Sequence, residues 1–130
     1  MNDFMLNLND YDLVSIPIDV SEEDHEAGLI KSKEYNWYDF DGDIIAHVSV
    51  EWWPDNWVSC YDLEVNEKYR HRGLGGQIVD FLTVIVGVNH LSVDPDNKIA
   101  IKMYQDHGFK FTGTKDGDLL RMKYDENGKA

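Results

Sequence analysis

The hydrophobic pattern of this 130-residue chain changes its period near residue 66. Before that point apolar residues alternate with polar ones and aromatic or β-branched residues are frequent, which is typical of strands. After it, Leu74, Ile78, Leu82 and Ile85 recur at helical spacing, and Gly87 stands where a glycine would end the helix. Strands followed by helices that alternate with strands predict one mixed sheet with helices on its faces, in the α/β or α+β class.

The predicted element order is β-α-β-β-β-α-β-α-β-β, with about seven strands in the central sheet. Strands are expected at 12–20, 35–40, 44–52, 57–65, 90–93, 109–114 and 119–124, with hairpin turns at Asp41-Gly42-Asp43 and Asp116-Gly117. A short helix is expected after the capping residue Ser21, to about residue 32, and another is expected after the capping residue Asn97. We expect a single domain over residues 1–130, with 1–9 and 125–130 loosely attached.

Negative charge is concentrated in the first half of the chain. Residues 1–66 contain 16 Asp and Glu against two basic residues, whereas residues 67–130 contain 9 against 10. The negative electrostatic field of residues 1–66 argues against nucleic acid as a partner and would attract a cationic substrate to one side of the protein. The other half would tolerate an anionic ligand. The same acidic residues could instead form only a solvated surface.

No apolar run reaches the roughly 18 residues needed to span a bilayer, and the first residues lack the pattern of a secretory signal. Cys60 is the single cysteine and cannot form an internal disulfide, which agrees with a reducing compartment. We therefore expect a cytoplasmic protein with no membrane partner.

A basic, glycine-rich turn lies where the period changes, and it reads Arg70, His71, Arg72, Gly73, Leu74, Gly75, Gly76. Glycines let phosphates approach the backbone closely, and the first N–H groups of a helix are unpaired donors at the positive end of its dipole. The turn is neither a dinucleotide fingerprint nor a Walker loop. It predicts a cradle for a pyrophosphate, and tight strand-to-helix packing is the alternative interpretation of its glycines.

This turn resembles the phosphate loop of the GNAT superfamily of acetyl-CoA-dependent N-acetyltransferases, which reads Arg/Gln-x-x-Gly-x-Gly/Ala. Downstream, Asn97-x-x-Ala100-x-x-x-Tyr104-x-x-x-Gly108-Phe109 is similar to the second motif of that family. The resemblance covers about residues 57–124 and implies a GNAT fold. Members usually have two helices between the first two strands, whereas this chain has room for about one. The acceptor region is therefore expected to be shortened.

The resemblance also implies roles for individual residues. The backbone of Leu63 and Val65 is expected to bind the pantetheine arm of acetyl-CoA, and Asn97 is expected to meet that arm from the other side. Backbone amides of residues 70–76 are expected to hold the pyrophosphate. Tyr104 is implied as the general acid for the departing thiolate, since a phenol pKa of about 10 is close to a thiol pKa of about 8.5. Without the resemblance, Tyr104 would be interpreted as a core aromatic.

The proton acceptor is harder to identify. Strict alternation along 57–65 would place Ser59, Tyr61, Leu63 and Val65 on one face. Ser59 and Tyr61 occupy the positions where the family often has a base, and neither is a carboxylate. A water relay that ends at Glu51 on the neighbouring strand is the hypothesis, and a solvent-exposed strand carboxylate is the simpler interpretation of Glu51.

Other reactive residue types receive plain interpretations. The histidines at 25, 47, 71, 90 and 107 lack metal-ligand spacing, so no metal is expected. Cys60 is interpreted as a small buried hydrophobe. Trp52 and Trp53 point to opposite faces of one strand, so one of them could line an acceptor pocket or a contact in a homodimer.

The sequence thus predicts an enzyme that transfers acetyl from acetyl-CoA directly to a primary amine. The acidic half favours a cationic acceptor: a polyamine, an aminoglycoside-like compound, or a basic peptide or protein. The alternative is a non-catalytic acidic interaction protein on the same scaffold that binds a basic macromolecule.

Overall fold

The computed structural model describes residues 4–128 as one seven-stranded mixed sheet flanked by helices, as predicted. The strands are β1 (Asp12–Ile18), β2 (Lys31–Tyr38), β3 (Ile44–Trp53), β4 (Trp57–Val65), β5 (His90–Val93), β6 (Phe109–Asp116) and β7 (Leu119–Tyr124). The helices are α1 (Glu22–Glu26), α2 (Leu74–Phe81) and α3 (Lys98–Asp106). Their order along the chain is the predicted one.

The strand order across the sheet is β1-β2-β3-β4-β5-β7-β6. All neighbours are antiparallel except β4 and β5, which run parallel. The turn between β2 and β3 forms because Asp39 Oδ1 accepts hydrogen bonds from the amides of Asp41 and Asp43, and Gly42 has a φ of +82°. The parallel strands β4 and β5 are connected by a crossover that contains α2.

Helix α1 is shorter than the sequence predicts. Ser21 caps it as expected, with its hydroxyl accepting from the Asp24 amide at 3.1 Å, and Gly28 leaves the helix with a φ of +110°. Residues 31–34 then pair with residues 49–52 of β3 and become strand. The prediction of helix to about residue 32 is wrong because this pairing with β3 decides the conformation.

Helix α2 continues into a π-helical turn over Leu82–Val86. Gly87 ends it in the left-handed conformation, with a φ of +93°, as the sequence predicts. Its amide and that of Val88 both donate to the Leu82 carbonyl at 2.8 Å. None of the helices within residues 4–128 is long and apolar enough to cross a membrane.

The core lies between one face of the sheet and the helices α2 and α3. Phe81 packs edge-on against Tyr35 and Trp37, with ring centres 5.7 and 5.5 Å apart. The largest fully buried side chains are Ile45, Val48, Val50, Leu74, Ile78, Val79, Leu82, Val88, Phe109 and Met122. Helix α1 has no buried residue, and a cavity lies open over the opposite face of β3, β4 and β5.

The first described residues run beside α2 rather than standing apart from it. Leu8 is buried, residues 8–10 form a 3₁₀ turn, and the Leu6 amide donates to the Arg72 carbonyl at 2.8 Å. The sequence predicts a loose segment over 1–9. Residues 1–3, and 129–130 of the predicted loose tail, lie outside the described residues.

Candidate active site

Strands β4 and β5 separate shortly after they meet. They are paired only at Ser59 with His90 and at Cys60 with Leu91. Beyond Cys60, β4 continues to Val65 paired with β3 alone, so the edge that faces β5 has no strand partner. Backbone groups along such an edge require hydrogen-bond partners. The gap is therefore suited to an extended ligand arm that lies between the two strands.

A bulge in β4 changes which side chains share a face. Ser49 pairs with Tyr61 and His47 with Glu64, so β4 contains one extra residue there, and Asp62 has a φ of +55°. Cys60 is buried before the bulge, and Leu63 and Val65 pack against the same core after it. The prediction that Leu63 and Val65 share a face with Ser59 and Tyr61 is wrong. Side chains alternate between the two faces of a strand, so one inserted residue moves all later side chains to the other face.

The glycine-rich turn holds a series of free backbone donors. His71 and Gly73 have φ values of +63° and +88°, and Gly73 is the N-cap of α2. The amides of residues 71–76 have no acceptor among the described residues, whereas the Arg70 amide donates to Glu67 at 3.3 Å. Free N–H groups at the start of a helix attract anions. The turn can therefore hold a phosphate group through its backbone.

The two arginines of this turn bind the protein's own backbone. Arg70 Nε donates to the Val65 carbonyl at 2.7 Å, and its Nη2 lies 3.8 Å from Glu64. Arg72 Nε donates to the Phe4 carbonyl at 3.0 Å. These bonds hold the ends of the turn in place, and the guanidinium groups add positive charge beside the free amides.

Gly75 and Gly76 also allow α2 to approach α3 closely. A Cβ atom would lie 2.9 Å from Met103 Sδ if added to Gly75, and 2.6 Å from His107 Nε2 if added to Gly76. His107 Nδ1 in turn lies 2.9 Å from Asp80 Oδ1 of α2. Close packing is therefore a role of these two glycines, in addition to any role in holding phosphate.

Helix α3 carries the second motif. Asn97 is its N-cap, with Oδ1 accepting from the Ala100 amide at 3.1 Å. Tyr104 is partly buried and packs edge-on against Phe109, with ring centres 6.0 Å apart. Burial raises the pKa of Tyr104 well above its usual value of about 10, and the nearby Cys60 raises it further. The phenol therefore keeps its proton at neutral pH.

A cavity of about 800 Å³ opens on the sheet face opposite α2, above the point where β4 and β5 separate. Three carboxylates line it, Glu51, Asp55 and Asp116, together with one cation, Arg121. The remaining lining residues are Trp53, Pro54, Trp57, Ser59, Cys60, Tyr61, His90, Leu91, Ser92 and Leu119. An acidic and aromatic lining suits an organic cation.

Of the adjacent tryptophans 52 and 53, Trp53 lines this cavity, whereas Trp52 packs against the core with Lys31 Nζ 4.5 Å from the centre of its ring. The predicted division of this pair between two faces is confirmed. The predicted acceptor-side residues Glu51, Ser59 and Tyr61 also meet in the cavity. The pKa of Glu51 is raised, mainly by burial and in smaller part by the charge of Asp24 in α1, while a hydrogen bond from Trp53 opposes the shift.

The Acetyltransferase (GNAT) family model matches residues 6–109. The chain belongs to the GNAT acetyltransferase family. No curated protein matches it significantly. The gap between β4 and β5, the turn before α2 and the N-capped helix α3 are thus placed on a GNAT domain.

Solved structures with the same fold are similar to this GNAT chain at low sequence identity. Nourseothricin acetyltransferase is 18% identical with a TM-score of 0.63, over 88% of this chain and 98% of that one. An acetyltransferase of Bacillus subtilis in complex with CoA is 13% identical with a TM-score of 0.61, over 88% and 99%. Spermidine N-acetyltransferase of Vibrio cholerae, in complex with CoA and spermine, is 17% identical with a TM-score of 0.56, over 75% and 67%.

The sequence does not distinguish His90 from the other histidines, although the GNAT fold brings it into the cavity. Its ring stacks on Trp57, with centres 3.5 Å apart and planes 8° from parallel. The register of β4 with β5 puts His90 beside Ser59, which is beside Glu51 of β3. Only the pairing of two strands distant in sequence reveals this row. Among the described residues, no three His, Cys, Asp or Glu side chains gather as metal ligands.

Proposed function

We propose that this GNAT domain transfers acetyl from acetyl-CoA to a primary amine of a cationic acceptor. The observation that carries the proposal is the position of Cys60 where β4 and β5 separate. It lines the acidic cavity, packs in the core, and is near enough to Tyr104 of α3 to raise the pKa of that phenol. A thioester placed in the gap would thus be open to an amine from the cavity and have a phenol near its sulfur.

The residues on the helix side fit acetyl-CoA, which supplies the activated acetyl group as a thioester. The amides of residues 71–76 would hold the pyrophosphate, and the unpaired edge of β4 at Leu63 and Val65 would bind the pantetheine arm. Asn97 would meet this arm from α3. Tyr104 would give its proton to the departing sulfur. Burial keeps the phenol protonated, but it also moves the pKa of Tyr104 away from that of a thiol, so the close match expected from the sequence is lost.

The acceptor would enter from the cavity. Arg121 lies 4.0 Å from Asp116 and over the Trp57 ring, so Asp116 offsets the only cation of the lining. Glu51 and Asp55 then remain to attract an ammonium group, and aromatic faces can pack on it. The spermidine and nourseothricin acetyltransferases of the same fold support an amine as the acceptor class.

Ser59 and Tyr61 would contact the acceptor beside Glu51, since all three line the cavity. The water relay that ends at Glu51 stays a prediction. The homodimer and the cytoplasmic location also stay predictions.

The test is binding followed by turnover. Acetyl-CoA at a hundredfold excess over Kd should stabilise the protein by about 2.7 kcal/mol, which raises Tm by several degrees. Release of free CoA thiol should then depend on an added polyamine such as spermidine. An unchanged Tm would contradict the proposed cofactor site. A raised Tm without turnover on polyamines, aminoglycosides or basic peptides would favour the non-catalytic alternative.

A further inference from the structure

His90 forms a hydrogen bond with its neighbour Asn89 at the start of β5. His90 Nδ1 lies 2.7 Å from Asn89 Oδ1. The same oxygen accepts from the Val58 amide at 3.0 Å, and Asn89 Nδ2 donates to the Asn56 carbonyl at 2.6 Å. These two backbone contacts determine which end of the Asn89 amide is oxygen, because a flipped amide would lose both of them.

The orientation of Asn89 determines the tautomer of His90. An amide oxygen only accepts hydrogen bonds, so Nδ1 of the imidazole must carry the hydrogen. The lone pair of the neutral ring is then on Nε2. This assignment follows from the hydrogen-bond network alone, without reference to a ligand.

Nε2 is the ring atom available to a ligand. It has no hydrogen-bond partner among the described residues, and it is not among their buried unpaired polar atoms. The ring lines the cavity and stacks flat against Trp57. His90 is paired with Ser59 of β4, and Ser59 is paired in turn with Glu51 of β3. A base with a fixed lone pair thus adjoins the point where β4 and β5 separate.

The surroundings keep this imidazole neutral at neutral pH. Burial lowers the pKa of His90 below its usual 6.5, and Lys123 and Arg121 of β7 lower it further. Trp57 of β4 covers one side of the His90 ring. The acidic groups on this side of the sheet are Glu51 and Asp55, which line the cavity, and Asp116, which lies beside Arg121. A neutral base can take a proton, whereas an imidazolium cannot.

We propose that His90 Nε2 takes a proton from the ammonium group of the acceptor and that Asn89 is the positioning residue that fixes its tautomer. The inference rests on the acetyl transfer proposed above. Glu51 then contributes negative charge for the acceptor.

In this step the ammonium gives one proton to Nε2, and the freed nitrogen pair forms a C–N bond to the acetyl carbonyl carbon. The C–S bond breaks, and sulfur leaves with its electron pair and receives the phenol proton of Tyr104. The second nitrogen proton is lost and restores that phenol. His90 releases its proton to water, so the net products are the amide, CoA thiol and one proton.

Kinetics of His90→Gln with acetyl-CoA and spermidine test the role. We expect kcat to fall by about 10²-fold or more, within the 10²–10⁴-fold range of general base catalysis, with the Kd of acetyl-CoA unchanged. In the wild type kcat should fall as the pH drops through the His90 pKa, below 6.5, and this acid limb should disappear in His90→Gln. The matched control is His25→Gln on the exposed helix α1, which should keep both the rate and the limb.

A second readout needs no turnover. Long-range ¹H–¹⁵N NMR of the free protein should show His90 as the Nδ1–H tautomer, and Asn89→Ala should give a mixture of tautomers. An Nε2–H tautomer in the wild type would overturn the inference. So would turnover by the wild type with an unchanged rate and acid limb in His90→Gln, and this result would leave the acetyltransferase proposal standing. A wild type that binds no acetyl-CoA would instead remove the proposed function, and the role of His90 with it.

Discussion

Gln77 Nε2 donates a hydrogen bond to the Leu6 carbonyl at 2.7 Å. Through this bond α2 holds the start of the described chain against the turn that precedes the helix. The same amide donates to the Gly73 carbonyl at 3.1 Å, and Gln77 Oε1 accepts from the Leu8 amide at 2.9 Å. One side chain thus links residues 6–8 to the N-cap of α2, where the phosphate site is proposed.

Replacing Gln77 should weaken both the fold and the proposed phosphate site. Gln77→Ala removes three partly buried hydrogen bonds, so the free energy of unfolding should fall by about 1–3 kcal/mol. Acetyl-CoA should also bind a few-fold more weakly because the turn is less ordered. Urea denaturation and calorimetry measure the two effects. Gln77→Glu keeps the acceptor for Leu8 but turns a carboxylate oxygen towards the Leu6 and Gly73 carbonyls, so it should weaken both properties at least as much as Gln77→Ala. Identical midpoints and Kd values in all three proteins would contradict this coupling.

A negative charge at His71 should block the proposed phosphate site without disturbing packing. His71 has a φ of +63°, a conformation that Asp and Asn tolerate better than most residues. His71→Asp should raise the Kd of acetyl-CoA by about tenfold or more, since a carboxylate would face the pyrophosphate. His71→Asn has the same size without the charge and should change Kd little. Equal Kd values for Asp and Asn, measured by calorimetry, would place the pyrophosphate elsewhere.

Tyr104→Phe should slow acetyl transfer by about 10²–10⁴-fold while acetyl-CoA affinity changes little. The ring and its contact with Phe109 are retained, so only the hydroxyl is removed. Because burial raises the pKa of Tyr104, its proton should remain up to about pH 10, and wild-type kcat should show no loss below that pH from this group. Stopped-flow detection of CoA thiol gives both results, and a wild-type rate in Tyr104→Phe would return the residue to a core role.

Electrostatic attraction of the acceptor should be visible as a salt dependence. Raising ionic strength from about 50 mM to about 500 mM should lower kcat/KM for spermidine by about threefold to tenfold, because screening weakens attraction by the cavity carboxylates. A monovalent amine should respond less than trivalent spermidine. Asp55→Asn should reduce the slope, since Asp55 lines the cavity. If kcat/KM does not change with ionic strength for either amine, the acidic residues form only a solvated surface and do not attract the acceptor.

The sequence alone determined the order of the elements. Local signals do this well: Ser21 and Asn97 cap their helices, Gly87 ends the helical segment in the left-handed conformation, and Asp41-Gly42-Asp43 turns the chain. Each of these caps and turns depends on a few adjacent residues, so it can be predicted from the sequence alone. The phosphate-loop and Asn97–Tyr104 motifs are local in the same sense, and they predicted the family that the GNAT model shows.

Tertiary structure decided what depends on contacts between distant residues. The pairing of residues 31–34 with β3 shortened α1, and the extra residue at Asp62 moved Leu63 and Val65 to the core face. The parallel register of β4 with β5 placed His90 beside Ser59, and Asn89 acquired its orientation from Val58 and Asn56. None of these pairings is encoded by neighbours along the chain, because the partners are brought together only by the folded sheet. The sequence therefore determined the elements and their motifs, whereas the folded sheet decided which side chains share the cavity.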